Sequence, residues 1–181
     1  LQIADGLWLD KKFKAAMMKS IAQSELDRKR FVYSDIGFIL LQQVVEAVTG
    51  KTLDAYLVSE FYRPMGLEHT LFQPLNRYKK ADIMPTAAND YLRRQDLCGY
   101  VHDEAAAFMG GVSGNAGLFS TAQELGKIYQ MILNEGELDG KRYLRPETCR
   151  IFTTEKSAVS HRGLGYDKPN LKDPKANACA S

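Results

Sequence analysis

A few residues of this chain have the types and spacing to do chemistry. They are three histidines, one serine inside a glycine-rich turn, and one tyrosine just ahead of an apolar helix. His69, His102 and His161 are far apart, and no His-Glu-x-x-His pair occurs, so neither a metal site nor any cofactor is expected. Gly111-Val112-Ser113-Gly114-Asn115 approaches the G-x-S-x-G nucleophile elbow, but its fifth position is Asn and no strand-like run precedes it. That segment reads as a close-packed turn. His102-Asp103 reads as a histidine beside a capping or turn aspartate in a loop. The glycines have neither Walker nor GxGxxG spacing, which excludes a phosphate cradle of those types. Tyr33, taken by itself, is an aromatic packed at a helix entry with its hydroxyl bonded nearby.

These residues need elements to position them, and the periodicity supplies mostly helices. Asp10 is placed to cap a first helix whose stripe is Phe13, Ala16, Met17, Ser20 and Ile21. Ser24 to Arg30 is polar and reads as a loop. A longer helix should run from Asp35 to about Val48, with so broad an apolar surface that packing on more than one side is expected. Gly50 is placed to end it in the left-handed conformation. Thr52 should cap a short helix through Leu53, Leu57 and Phe61, which Pro64 stops.

Residues 64–98 lack sustained periodicity and read as a long irregular excursion with one short helix at most. After the turn from Gly110 to Gly117, Thr121 and Glu124 form a T-x-x-E capping box for a helix through Leu125, Ile128, Tyr129 and Ile132. Asp139-Gly140 signals a two-residue hairpin, and Pro146 suits the first turn of a last helix. Arg162 to Tyr166 reads as a short strand close to another backbone.

Composition sets the bounds. The 181 residues suffice for one domain with a real core. A net charge of +2 is too balanced for a nucleic-acid surface, and Asp27-Arg28-Lys29-Arg30 and Lys79-Lys80 read as solvated faces. Cys98, Cys149 and Cys179 are odd in number without a CxxC, so they indicate neither a zinc site nor a disulfide framework. One pair or three free thiols both remain open. No apolar run approaches a membrane span. Both ends, Leu1 to Gly6 and Ala176 to Ser181, read as cut.

One ordered set of segments goes further. It begins with Tyr33-Ser34-Asp35-Ile36-Gly37-Phe38-Ile39-Leu40-Leu41 and continues to Val48-Thr49-Gly50-Lys51-Thr52-Leu53. Tyr56-Leu57 and Phe61-Tyr62-Arg63-Pro64-Met65-Gly66-Leu67-Glu68-His69-Thr70 follow. The Gly110 to Thr121 stretch and Arg162-Gly163-Leu164-Gly165-Tyr166 complete it. From about Phe31 to Lys168 this order and spacing resembles the serine β-lactamase and penicillin-binding-protein family. The likeness is to its class C β-lactamase, D-Ala-D-Ala carboxypeptidase and esterase branch.

The resemblance implies a partial domain over residues 1–181. It should be mainly α with a little antiparallel β, a fragment of the family's α+β fold made mostly of the helical lobe. The expected reaction is acyl transfer through a serine ester on an ester, β-lactam or D-amino-acid amide. It would suit a small-molecule or peptidoglycan-like substrate and an exported, cell-envelope enzyme. By match, Tyr33 is the proton shuttle, because a serine hydroxyl must be activated by a neighbouring base. A tyrosine, with a reference pKa of about 10, serves as that base only where cations favour its phenolate.

Asp35 departs from the family's commoner Asn: an ionised Asp accepts hydrogen bonds but cannot donate them to a substrate carbonyl. It either fixes the family's lysine or is simply the helix cap. His102, Gly114 and Asn115 are the substrate-binding candidates. No lysine here has a serine three residues before it, and no Lys-Thr-Gly, His-Thr-Gly or Lys-Ser-Gly occurs. The chain as given is therefore expected to be inactive. The alternative is a non-catalytic helical binding module that keeps the fold. Self-association through exposed apolar faces is expected.

Overall fold

A computed structural model describes residues 1–25, 32–154 and 160–169. The described residues fall into two compact units, one formed by 1–25 and Ser34–Leu125, the other by 32–33, 126–154 and 160–169. Six α-helices and four two-stranded antiparallel sheets make up the described residues, in agreement with a mainly helical chain carrying a little antiparallel β. Most of the Ser24 to Arg30 loop, the basic cluster beginning at Asp27, Cys179 and the tail from Ala176 to Ser181 lie outside the described residues.

The first unit opens with a hairpin, β1 (Gln2–Ala4) and β2 (Leu7–Trp8), where sequence reasoning found no element. Its turn is held from outside: Asp5 accepts from Lys80 Nζ and from Tyr100 Oη at 3.0 Å, and exchanges two bonds with the Gln95 amide. These partners lie 75 to 95 residues away. The Lys80 ammonium, followed by the Tyr100 hydroxyl, holds the Asp5 carboxyl below the usual range. Ile3 packs with Val101, Ala106 and Ala107 in a small buried cluster.

Helix α1 (Lys12–Ala22) starts one residue later than an Asp10 cap would place it. Lys11 is the N-cap, and Asp10 Oδ1 accepts instead from Lys12 N at 2.8 Å. The expected stripe buries no residue fully; its anchor is Phe13, whose ring lies 4.9 Å from that of Phe108.

Helix α2 (Ile36–Thr49) ends at Gly50 in the left-handed conformation, as the sequence predicts. The expectation of packing on several sides is not met. Only Ile39 and Gln42 are buried, while Leu41, Val44 and Val48 are 57%, 55% and 81% exposed. The reason is that the polar residues turn inward. Gln42 and Glu46 hydrogen-bond each other and reach neighbouring backbone, which leaves apolar residues on the outer face.

Glu46 Oε1 also accepts from Leu53 N at 3.1 Å, doing the capping expected of Thr52 for α3 (Leu53–Leu57). The chain then widens into a π-helical turn, Val58–Tyr62, before Pro64. Burial pushes the Tyr62 phenol up to about 12.

Residues 64–98 hold more order than expected. β3 (Leu71–Phe72) is followed by two 3-10 turns and then by a hairpin, β4 (Pro85–Asp90) and β5 (Gln95–Cys98). Its sequence hides it, because Ala, Asn and Asp are poor strand formers. The bend is fixed by a buried ion pair. Asp90 Oδ2 accepts from Arg93 Nη2 at 2.6 Å with both side chains fully buried, and Asp90 Oδ1 accepts from Arg93 N at 2.7 Å.

Helix α4 (Glu104–Phe108) precedes the glycine turn, and β6 (Leu118–Phe119) pairs with β3 after it. Helix α5 (Ala122–Leu133) starts with half of the expected capping box: Glu124 N donates to Thr121 Oγ1 at 3.3 Å. The Glu124 carboxylate does not return to the cap. It accepts from Glu68 N at 2.9 Å, His69 N at 3.0 Å and Thr70 Oγ1 at 2.6 Å. Burial opposes its ionisation, but those three donors outweigh burial and hold the carboxyl below its usual range. A long-range need outcompeted a local one.

In the second unit, β7 (Glu137–Leu138) and β8 (Lys141–Arg142) form the hairpin that Asp139-Gly140 signals, both turn residues having positive φ. Helix α6 (Pro146–Thr153) carries its Pro at the start as expected. Cys149 is buried and free, and Cys98 is a half-buried free thiol directed at the Ile83 carbonyl. No strand spans Arg162 to Tyr166. The close backbone approach is present, since Leu164 N donates to Phe152 O at 2.9 Å and a side chain at Gly163 would meet Phe152 O at 2.5 Å. Among the described residues no helix is long and apolar enough to cross a membrane.

Candidate functional site

The glycine turn is held by polar side chains on two helices. From α2, Gln42 Oε1 accepts from Gly114 N at 3.1 Å and Nε2 donates to Val112 O at 3.3 Å. From the N-cap of α4, Asp103 Oδ1 accepts from Ala106 N at 2.7 Å and from Asn115 Nδ2 at 2.9 Å. Asn115 Oδ1 in turn accepts from Ser113 Oγ at 2.6 Å. Ser113 is buried and its hydroxyl is spent on that bond, the behaviour of a turn residue. A side chain at Gly114 would meet Phe38 O at 2.2 Å, so only glycine lets the turn lie against α2. Gly114 itself is exposed, and Asn115 is half-buried.

A groove of about 340 Å³ follows the turn, with Leu41, Val45, Leu57 and Phe72 as its apolar walls and Ser113 to Ala116 along one side. A groove with apolar walls and a polar turn along one side suits a ligand that is itself part apolar and part polar.

His102 stands at the entry to α4. Its backbone carbonyl and that of Val101 accept from the Arg93 guanidinium, so the buried Asp90–Arg93 pair fixes the segment. The imidazole is 64% exposed, with Nε2 4.0 Å from Asp90 Oδ2. Asp103, the N-cap of α4, is the capping aspartate that the sequence suggests. His102 and Asn115 are thus tied to one stretch, Asn115 through Asp103 and His102 as its chain neighbour. Sequence reasoning missed Gln42 and Asp103 as the residues that shape the turn. The signal for Gln42 was a polar residue inside an apolar stripe.

Asp35 takes the N-cap position of α2 without a side-chain capping bond; Ser34 Oγ accepts from Ile36 N at 3.3 Å instead. Asp35 is half-buried as a residue. In the second unit, Tyr33 is 66% exposed, and the Arg162 guanidinium lies over its ring at 5.3 Å from the centroid. Arg162 also pairs with Asp167 at 3.1 Å, and Asp167 receives His161 Nε2 at 3.1 Å.

The β-lactamase family model matches residues 2–169. The chain is 39% identical over 149 residues to an Escherichia coli K12 protein named "Putative D-alanyl-D-alanine carboxypeptidase", covering 76% of this chain and 34% of that one. It is 36% identical over 155 residues to the N-acetylmuramyl-L-alanine amidase of Bacillus subtilis 168, covering 79% and 35%.

Among solved structures, it superposes on the octameric penicillin-binding protein homologue of Pyrococcus abyssi with a TM-score of 0.61, at 18% identity, covering 87% of this chain and 35% of that one. For the D-amino acid amidase of Ochrobactrum anthropi SV3 the TM-score is 0.57, at 14% identity, covering 83% and 41%. The helices and small antiparallel sheets are those of the β-lactamase and penicillin-binding-protein type of α+β fold. The chain belongs to the β-lactamase family of serine hydrolases. It spans about a third of the length of the curated relatives it matches.

Proposed function

We propose that this chain is the helical part of a serine hydrolase that forms an acyl-enzyme on an ester, β-lactam or D-amino-acid amide, with peptidoglycan-like substrates in view. In this reading residues 1–181 are a partial catalytic domain of a cell-envelope enzyme. Tyr33 relays the proton between the attacking serine and the leaving group. The observation that carries the reading is the exposed Tyr33 ring with the Arg162 guanidinium 5.3 Å from its centroid. Asp35, not spent as a cap, is available to hold the family's lysine. Gly114 and Asn115 present the turn along which substrate lies, and His102 contributes from the same stretch.

A serine ester needs a serine beside a base, and no Ser-x-x-Lys occurs within these residues. The isolated chain is therefore inactive in this reading. Treatment with a fluorescent penicillin and a fluorophosphonate, followed by peptide mapping, should give no serine adduct. A stoichiometric adduct on one serine would overturn the inactivity. The coding sequence on either side tests the assignment itself. Ser-x-x-Lys before Tyr33 and Lys- or His-Thr-Gly after Tyr166 support a hydrolase; their absence supports the second reading, a binding module that uses the groove without catalysis. The outer face of α2, apolar at Leu41, Val44 and Val48, is the surface through which the chain self-associates.

A further inference from the structure

A second recess in the first unit lies apart from the residues assigned to acyl transfer. It has a volume of about 280 Å³ and sits between the β1–β2 hairpin, the turn at 73–76 and the segment around Tyr100. That is just below the roughly 300–1,000 Å³ of drug-sized sites, a size for one small ring system rather than an extended peptide.

The lining has an unusual chemistry. Trp8, Tyr100 and Phe119 give aromatic surface; Gln2, Gln73 and Asn76 give primary amides; Ile3, Leu75, Val101 and Ala107 give hydrocarbon. No lysine, arginine, histidine, aspartate or glutamate lines it. A phosphate-bearing ligand or a free peptide would bring charge that no side chain of the lining pairs with. This lining matches an uncharged ligand, and one with more polar groups than a hydrocarbon.

Primary amides both donate and accept, so they match groups that do the same. Trp8 lies opposite Gln2 across the hairpin and is 68% exposed, an indole at the mouth of the recess. Gln73 is held with φ 49 and ψ 58, a left-handed conformation uncommon for a residue with a side chain. It donates through Nε2 to Gly110 O, and Oε1 accepts from Asn76 Nδ2 at 3.1 Å. That fixes Gln73 and Asn76 as a pair, with Asn76 Oδ1 making no hydrogen bond among the described residues. Strain of this kind persists where surrounding structure over-determines it, often at binding sites.

We infer that this recess, formed by Trp8, Gln2, Gln73 and Asn76, binds an uncharged N-acetylated amino sugar. The indole covers the C–H face of the ring, the amides meet hydroxyls and the acetamido group, and the acetyl methyl enters the hydrocarbon floor. The inference does not rest on the acyl-transfer reading, since it needs neither Tyr33 nor any serine.

Trp8 is the sole tryptophan, so its emission reports the site without interference. Titration of the chain with N,N′-diacetylchitobiose should shift the emission to the blue in a saturable way. Asn76→Ala and Gln2→Ala, both at exposed positions and checked for unchanged circular dichroism, should each weaken binding at least fivefold. Cellobiose, which lacks the acetamido groups, should bind at least fivefold more weakly than the acetylated sugar. An absent or non-saturating response overturns the site. An affinity unchanged in both variants overturns this lining, and equal binding of cellobiose overturns the acetamido assignment.

Discussion

Gln42, in the middle of α2, and Gly114, 72 residues later in the glycine turn, share a hydrogen bond of 3.1 Å in which the backbone N–H donates to the side-chain carbonyl. The same amide donates to Val112 O, and the missing side chain of Gly114 lets the turn rest on the Phe38 carbonyl. One polar residue thus fixes a loop that the helix would otherwise meet with hydrocarbon alone. Gln42→Leu keeps the volume and removes both partners. It should destabilise the chain by about 1–3 kcal/mol, the usual cost of stranding buried polar groups. The urea midpoint measures it; an unchanged midpoint would show that the turn is held by other means.

Gly114→Ala tests the steric half of the same relationship. A methyl 2.2 Å from Phe38 O must push backbone, which does not yield as a flexible side chain does. A loss of about 1–3 kcal/mol is expected, as for overpacking. Faster amide exchange at residues 112–116 should accompany it, and retained protection there would contradict the contact.

The Asp90–Arg93 pair is fully buried and also carries the carbonyls of Val101 and His102. Asp90→Asn leaves the guanidinium buried beside a neutral partner, a change that costs about 3–5 kcal/mol when a buried pair is broken. Thermal unfolding should reveal it as a large fall in Tm. A fall of only a degree or two would mean that water reaches the arginine.

Two carboxyls predict the response to acid. Hydrogen bonding by the Arg93 guanidinium holds Asp90 well below its ordinary 3.8, and the Glu68–Thr70 donors, overcoming burial, hold Glu124 below 4.5. Lowered folded values mean stability that is fully present above the unfolded values and lost as pH falls through the folded ones. Urea midpoints should therefore be level from pH 7 to about 5 and fall below about 4.5. Glu124→Gln should be less stable at pH 7 and show a shallower acid decline; a decline as steep as the parent's would remove Glu124 from the account.

The outer face of α2 predicts association. Leu41→Glu with Val44→Lys places charges on residues that make the surface apolar without touching the inward Gln42. Sedimentation velocity should show the parent chain forming larger species as concentration rises and the variant remaining monomeric. A monomeric parent at high concentration would exclude that face as the cause.

The local parts were legible because short-range rules decide them. Gly50 stopped α2, Asp139-Gly140 turned a hairpin, Pro146 opened α6, and the ordered Tyr33, Gly110 and Arg162 segments carried the family. What only the tertiary structure decided involved partners far along the chain. The Glu124 carboxylate left its own cap for residues 68–70, and Asp5 closed the first hairpin against Lys80 and Tyr100. The β4–β5 bend depended on a buried ion pair that no strand propensity announces. A buried polar group takes whichever donor or acceptor the packed chain brings to it, and sequence spacing does not encode that distance.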